Sequence, residues 1–266
     1  MCRWGLVAPS DFALHVAFWP MLTLMLLAAT PSLTTDAERR AFVASASLEQ
    51  IAAVLTSTPP EVLLAVGERA VDALGTYTYV MAKQERVSGR LIDEQVVQVS
   101  ARERPFAVRL DYVRGPSSNR KVLYNSTLKG SEFAVHEAGF LSIAGTFWLP
   151  LDTPLAKSDS NHSVKEAGLG SLVRRLRKEV EKANAVGGLT TTVEGWVDGT
   201  FCQLYAMPNG GKGFDAARTR VCTDFTVGVP VLVESFDTEN RVTERFAFSK
   251  VQRRELPEAT FDPASM

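Results

Sequence analysis

Few residues in this chain have both the type and the spacing for chemistry. It carries three histidines. His15 lies in an N-terminal apolar stretch, which leaves His136 in a strand-like run and His162 just ahead of a helical one. Neither has a second His or Cys at metal-ligand spacing, so no metal is expected and His136 reads as an ordinary strand residue. No G-x-S-x-G elbow is present. In Gly168-Leu169-Gly170-Ser171 the serine falls one place late and within a helix. The loop from Asn209 to Asp215 has glycines and Lys212, but it lacks phosphate-loop spacing and joins two strands. The acid pairs Asp93/Glu94 and Glu132/Glu137 would form a dyad only if a cleft brought them together. Asn125-Ser126-Thr127 is a formal glycosylation sequon that matters only in a eukaryotic secretory route. These gaps argue against an enzyme and against a resident cofactor.

Cys202 and Cys222 lie in the runs FCQLYAM and RVCTDFTV, on either side of that glycine-rich loop. A hairpin centred near residue 212 would set them opposite each other, because both are equally far from it. In an oxidising compartment they could bridge; the alternative is two buried thiols.

The elements that must position these residues start after an uncharged stretch, Phe12 to Ala29. Residues 1–30 read as an export signal, with a membrane anchor as the alternative because the stretch approaches spanning length. Residues 31–47 read as a flexible tether, and 48–266 as a single domain. The expected location is periplasmic, or membrane-anchored and facing the periplasm. The net charge is −1 and no face is obviously basic, so nucleic acid is not an expected partner.

Three capping boxes are expected, at Ser47/Gln50, Thr58/Glu61 and Ser163/Glu166, with Pro59 at the first position of the second helix. The last box opens an amphipathic helix over 163–184. Its apolar stripe runs Leu169, Leu172, Val173, Leu176 and Val180; Arg174, Arg175, Arg177 and Lys178 lie opposite. Such a helix can rest on a membrane, but it reads as a cover for a sheet with its charges solvated. Elsewhere the period is two. Ten runs separated by Gly, Pro, Ser and Asn clusters, from TYTYVMAKQERV to TERFAFSKV, predict antiparallel strands. The whole reads as α+β, a strongly curved antiparallel half-barrel with helices against it. Several strands are apolar on both faces, so one face takes the helices and the other either encloses an apolar cavity or packs as a filled core.

The run Tyr79, Lys83, Glu85-Arg86, Gly89, Glu94, Arg102, Pro105-Phe106, Val108, Leu110 and Val122-Leu123-Tyr124 resembles the exported bacterial family called domain of unknown function 1571. So do Gly168-Leu169, Asp224, Pro230, Phe236-Asp237, Glu244, Phe248 and Phe261-Asp262-Pro263. That family is similar in pattern to lipoprotein carriers of the LolA/LolB type. The resemblance implies an incomplete barrel with an acyl-binding hollow and a non-enzymatic carrier whose partner is a lipid or acylated protein, in transient contact with a membrane or envelope protein. Leu110 and Val233 are the expected lining residues. An envelope sensor with a filled core is the alternative, and an enzyme with an unrecognised site a lesser one. The hollow, if present, is expected to be greasy, without a titratable cluster.

Overall fold

A computed structural model describes residues 35–154, 160–197 and 200–266. The expected signal segment and residues 31–34 lie outside the described residues. The tether does not hold for the rest of its range. Asp36–Ser45 is a helix, α1, with a reciprocal cap between Thr35 and Glu38. It is tied down by Arg39, which is buried with its guanidinium donating to the Val227 carbonyl at 3.3 Å. Gly228, at φ 81°, makes room: a Cβ there would lie 2.9 Å from the guanidinium carbon.

Helix α2 (Leu48–Ser57) opens with the Ser47/Gln50 box as expected. Helix α3 (Pro60–Leu74) does not use Thr58, whose hydroxyl turns back to donate to the Val54 carbonyl at 2.6 Å. Pro59 itself sits at the cap, and Pro60 takes the first helical position.

The strands form one open antiparallel sheet. They are β1 (Thr76–Val87), β2 (Arg90–Leu91), β3 (Gln95–Arg102), β4 (Ala107–Arg114), β5 (Lys121–Asn125), β6 (Glu132–His136) and β7 (Thr146–Pro150), then β8 (Thr190–Val197), β9 (Thr200–Ala206), β10 (Arg218–Asp224), β11 (Val229–Phe236) and β12 (Val242–Arg253). Among the described residues twelve strands are present where ten runs are expected; β2 and β7 are the additions. The order is β7-β6-β5-β4-β3-β1-β12-β11-β10-β9-β8, with β2 on β1. The chain therefore starts mid-sheet, meanders to one edge, crosses through α4 (Leu169–Val186) to the other edge, and meanders back until β12 pairs with β1.

Alternation sets the faces. In β1, Tyr77, Tyr79, Met81, Lys83 and Glu85 are buried on one side. One apolar cluster joins Phe133 and Val135 of β6, through β1 and β12, to Tyr205 of β9, and includes both α3 and α4. Two helices, each about 10 Å across, touch residues from so many strands, about 4.8 Å apart, only if the sheet curves around them. On the outer face Ala107, Leu123 and Ala134 are covered by Phe261 of the C-terminal segment. Asn125 is buried there, donating to the Phe261 carbonyl at 3.1 Å and accepting from Thr127, so the sequon side chain is structural.

The box at Ser163/Glu166 does not form. Val164–Glu166 is a separate 3-10 turn, and α4 begins at Leu169. Its first backbone N–H is satisfied from the sheet instead. Leu169 N donates to the Tyr77 hydroxyl at 3.0 Å, and Tyr77 donates to Glu103 at 2.6 Å. The buried Glu103 carboxylate thus meets the positive helix end and Arg174 at 3.3 Å. Gly170 permits the approach, since a Cβ there would lie 2.4 Å from a Glu103 oxygen.

Candidate functional site

Beyond the N-terminus of α4 the helix no longer covers the sheet, and a hollow of about 170 Å³ remains. That is room for about a dozen water-sized groups. Its floor is β1, β4–β7 and β12, including Met81, Leu110, Val122, Phe133, Phe147 and Phe248. Its roof is the segment 160–169 and Leu172 of α4.

One end of the lining is apolar; the other, where Glu166 is exposed and Arg120, Glu137, His162 and Arg175 are half-buried, is ionised and forms the mouth. Continuing the inward stripe of β1 past Met81 brings Lys83 and Glu85 into the wall, Nζ to Oε1 3.3 Å apart and both buried. Glu85 holds the roof: Ser160 Oγ donates to it at 2.8 Å and Asn161 N at 2.7 Å. Tyr79 donates to the Ala167 carbonyl. His162 lies 2.7 Å from Glu244 through Nε2 and 3.3 Å from Glu166 through Nδ1, with Arg175 within 3.1 Å of both ring nitrogens. Arg120 and Glu137 pair at 3.0 Å on the far side. Arg175 is therefore not on the solvated face of α4 but part of the mouth.

Burial alone would pull the His162 imidazole down. Its hydrogen bonds to Glu166 and Glu244 overcome this, against Arg175, and lift its pKa to about 9. Glu244 is pushed up by its own burial but held below the usual carboxylate range by His162. At neutral pH the imidazole is thus a cation donating from both nitrogens. Carboxylate and imidazole atoms of Glu85, His162 and Glu244 lie within 4.8 Å of one another, a possible three-ligand set for a cation. A metal there would have to displace the His162 proton and compete with Lys83 and Arg175 for the same oxygens.

The expectation of a hollow without titratable groups is therefore overturned. Close spacing along the chain does not reveal this cluster, because His162 and Glu244 are 82 residues apart and meet only through the fold. A usable signal was the parity of β1, which puts Lys83 and Glu85 in phase with Tyr77, Tyr79 and Met81. Leu110 lines the hollow. Val233 does not; it borders a separate cavity of about 20 Å³ beside Leu176 and Tyr205. His136 lies on the outer face, 3.4 Å from the Thr146 hydroxyl, and Glu137 is the one member of the two acid pairs in the wall. Asp93 and Glu94 are apart from it, Glu94 pairing with Arg114. Cys202 and Cys222 stand opposite each other in register on β9 and β10 and are bridged. No helix among the described residues is long and apolar enough to cross a membrane.

Fold and site define an open antiparallel half-barrel with an amphiphilic hollow under a helix end. By sequence the chain belongs to the family described as Protein of unknown function (DUF1571), which matches residues 74–266. Of the residues that carry the resemblance, Lys83, Glu85, Leu110, Val122, Gly168, Leu169 and Phe248 line the hollow. No curated protein matches the sequence. Among solved structures, a LolA superfamily protein from Nitrosomonas europaea is 11% identical, with a TM-score of 0.34 over 77% of this chain and 98% of that one. Lipoprotein LppX of Mycobacterium tuberculosis is 13% identical, with a TM-score of 0.39 over 74% and 98%. A chain of the Pseudomonas aeruginosa MucA/MucB complex is 11% identical, with a TM-score of 0.41 over 76% and 60%.

Proposed function

We propose that this chain is a non-enzymatic envelope protein that holds a single-tailed amphiphile, a lipid or the acyl group of a lipoprotein, in the hollow. The observation that carries this reading is the graded lining of one cavity, apolar under α4 and ionised at the mouth. An acyl tail against Met81, Leu110 and Phe248 would leave water at about 0.8 kcal/mol per CH₂, while a headgroup meets the Lys83, His162 and Arg175 side. Ser163 Oγ, in the hollow wall, is buried and has no hydrogen-bond partner among the described residues. A ligand carbonyl would satisfy it and remove a penalty of about 1–3 kcal/mol.

The raised pKa of His162 argues against its use as a general base. With both nitrogens donating to carboxylates it has no lone pair to accept a substrate proton, which a general base needs. The uncharged stretch at 12–29 supports export and so a periplasmic domain, either free or tethered.

Native mass spectrometry of the protein purified from an envelope extract tests the reading. Retained mass matching an acyl lipid, lost in Leu110→Arg while the thermal unfolding transition survives, is the expected result. Wild-type protein that never carries such mass, with or without added lipid, would overturn it and leave a protein-binding sensor.

A further inference from the structure

The hairpin between β6 and β7 ends in a tip unlike the rest of the surface. Gly139–Ala144 is a 3-10 turn whose Phe140, Leu141 and Ile143 are 86%, 60% and 79% exposed. Gly139 and Gly145, at φ 64° and 69°, reverse the chain at both ends. The single polar side chain on the turn, Ser142, donates to the Gly139 carbonyl at 2.7 Å and is satisfied internally. No residue from Ala138 to Leu151 is charged.

The tip is continuous with the mouth of the hollow. Glu137, two residues before it, pairs with Arg120 in the wall, and Phe147, two residues after Gly145, lines the floor. We infer that Phe140, Leu141 and Ile143 form a membrane-docking element that enters a lipid bilayer and sets the mouth against it. Building on the amphiphile reading, this gives the cargo an apolar path between bilayer and hollow. A bilayer fits the tip better than a protein partner does. The tip is narrow, whereas a stable protein interface needs roughly 800 Å² on each side. It can enter the lipid boundary without desolvating a charge or breaking a hydrogen bond. Because the driving force is apolar burial, binding should depend little on salt or on anionic lipid.

The test uses the full chain with phosphatidylcholine vesicles whose acyl chains are brominated, which quench tryptophan at depth. Phe140→Trp should add emission that the vesicles quench strongly. Leu48→Trp, an exposed position on α2, should add emission that they leave unchanged. Adding Leu141→Ser and Ile143→Ser to Phe140→Trp should abolish the extra quenching without altering thermal unfolding. The inference is overturned if the tryptophan at 140 is not quenched beyond wild type, or if quenching at 48 equals that at 140. It is also overturned if wild type dimerises through the tip in vesicle-free buffer, seen by light scattering as a mass halved in Phe140→Ser/Leu141→Ser/Ile143→Ser. The two readings fail separately. Leu110→Arg carrying Phe140→Trp should lose acyl mass but keep its quenching, whereas the serine tip variant, offered the lipid in detergent micelles rather than a bilayer, should still take up acyl mass.

Discussion

The two wings of the sheet carry the same alternation but end differently. In the β8–β11 wing, Phe201 and Phe225 pack with Ile51, Val54 and Leu55 of α2. Gln203 is buried there, donating to the Leu55 carbonyl and accepting from Tyr205, and the Cys202–Cys222 bridge ties β9 to β10. In the β4–β7 wing only the N-terminal part of α4, through Leu169 and Leu172, reaches over the space among the described residues, and a short segment held by Glu85 and Glu244 supplies the rest of the roof. Strand patterning is thus equal in both. What differs is where the helices land, and that separates a filled core from a hollow.

The largest effect should come from a buried charge in each wing. Val233→Arg puts a guanidinium where only about 20 Å³ is free, and should cost roughly 3–5 kcal/mol or prevent folding. Leu110→Arg faces the hollow and can reach the carboxylates at its mouth, so its denaturation midpoint should fall distinctly less than that of Val233→Arg. Equal losses in chemical denaturation would break the contrast between filled and hollow wings.

Next is the bridge. Replacing both Cys202 and Cys222 by Ala, in a loop with a sequence separation of 20, should cost about 3 kcal/mol. The loss should appear as faster amide exchange in β9 and β10, while exchange in β4–β6 is unchanged. Two free thiols in oxidised, exported protein would refute the bridge.

The mouth should respond to pH. A raised imidazole pKa means the folded state holds the His162 proton more tightly than the unfolded chain does. Its contribution is complete below about 6.5 and is lost as pH rises through about 9, by at most about 3 kcal/mol. Urea midpoints should fall over that window in wild type and stay flatter in His162→Ala. A steeper slope in His162→Ala would show that another group governs the window.

The smallest effect is at the helix end. Gly170→Ala presses a methyl on Glu103 and should cost about 1–3 kcal/mol, with Tyr77 losing some of its hold on Leu169. A neutral or stabilising result would mean that Glu103 is not held in place by the Tyr77 and Arg174 contacts.

Much of the frame was legible beforehand because it depends on local repetition. Period-two runs gave the strands, the stripe from Leu169 to Val180 gave the buried face of α4, and symmetry about residue 212 put Cys202 opposite Cys222. Of the three capping boxes expected, Ser47/Gln50 formed, whereas Thr58 turned back to the Val54 carbonyl and at α4 a strand tyrosine 92 residues away replaced Ser163. The helix within the expected tether is not legible locally, because α1 is held through Arg39 by a loop 188 residues further on.

The sequence by itself determined an α+β chain of antiparallel strands with one amphipathic crossing helix, because side-chain periodicity and hairpin spacing are properties of neighbouring residues. Only the tertiary structure decided that α2 fills one wing, that Leu110 borders space while Val233 does not, and that Lys83, Glu85, His162, Arg175 and Glu244 share one mouth. Those outcomes depend on where the crossover from β7 to β8 returns the chain. They also depend on the long-range charge pairing that a low-dielectric site enforces once the groups are brought together.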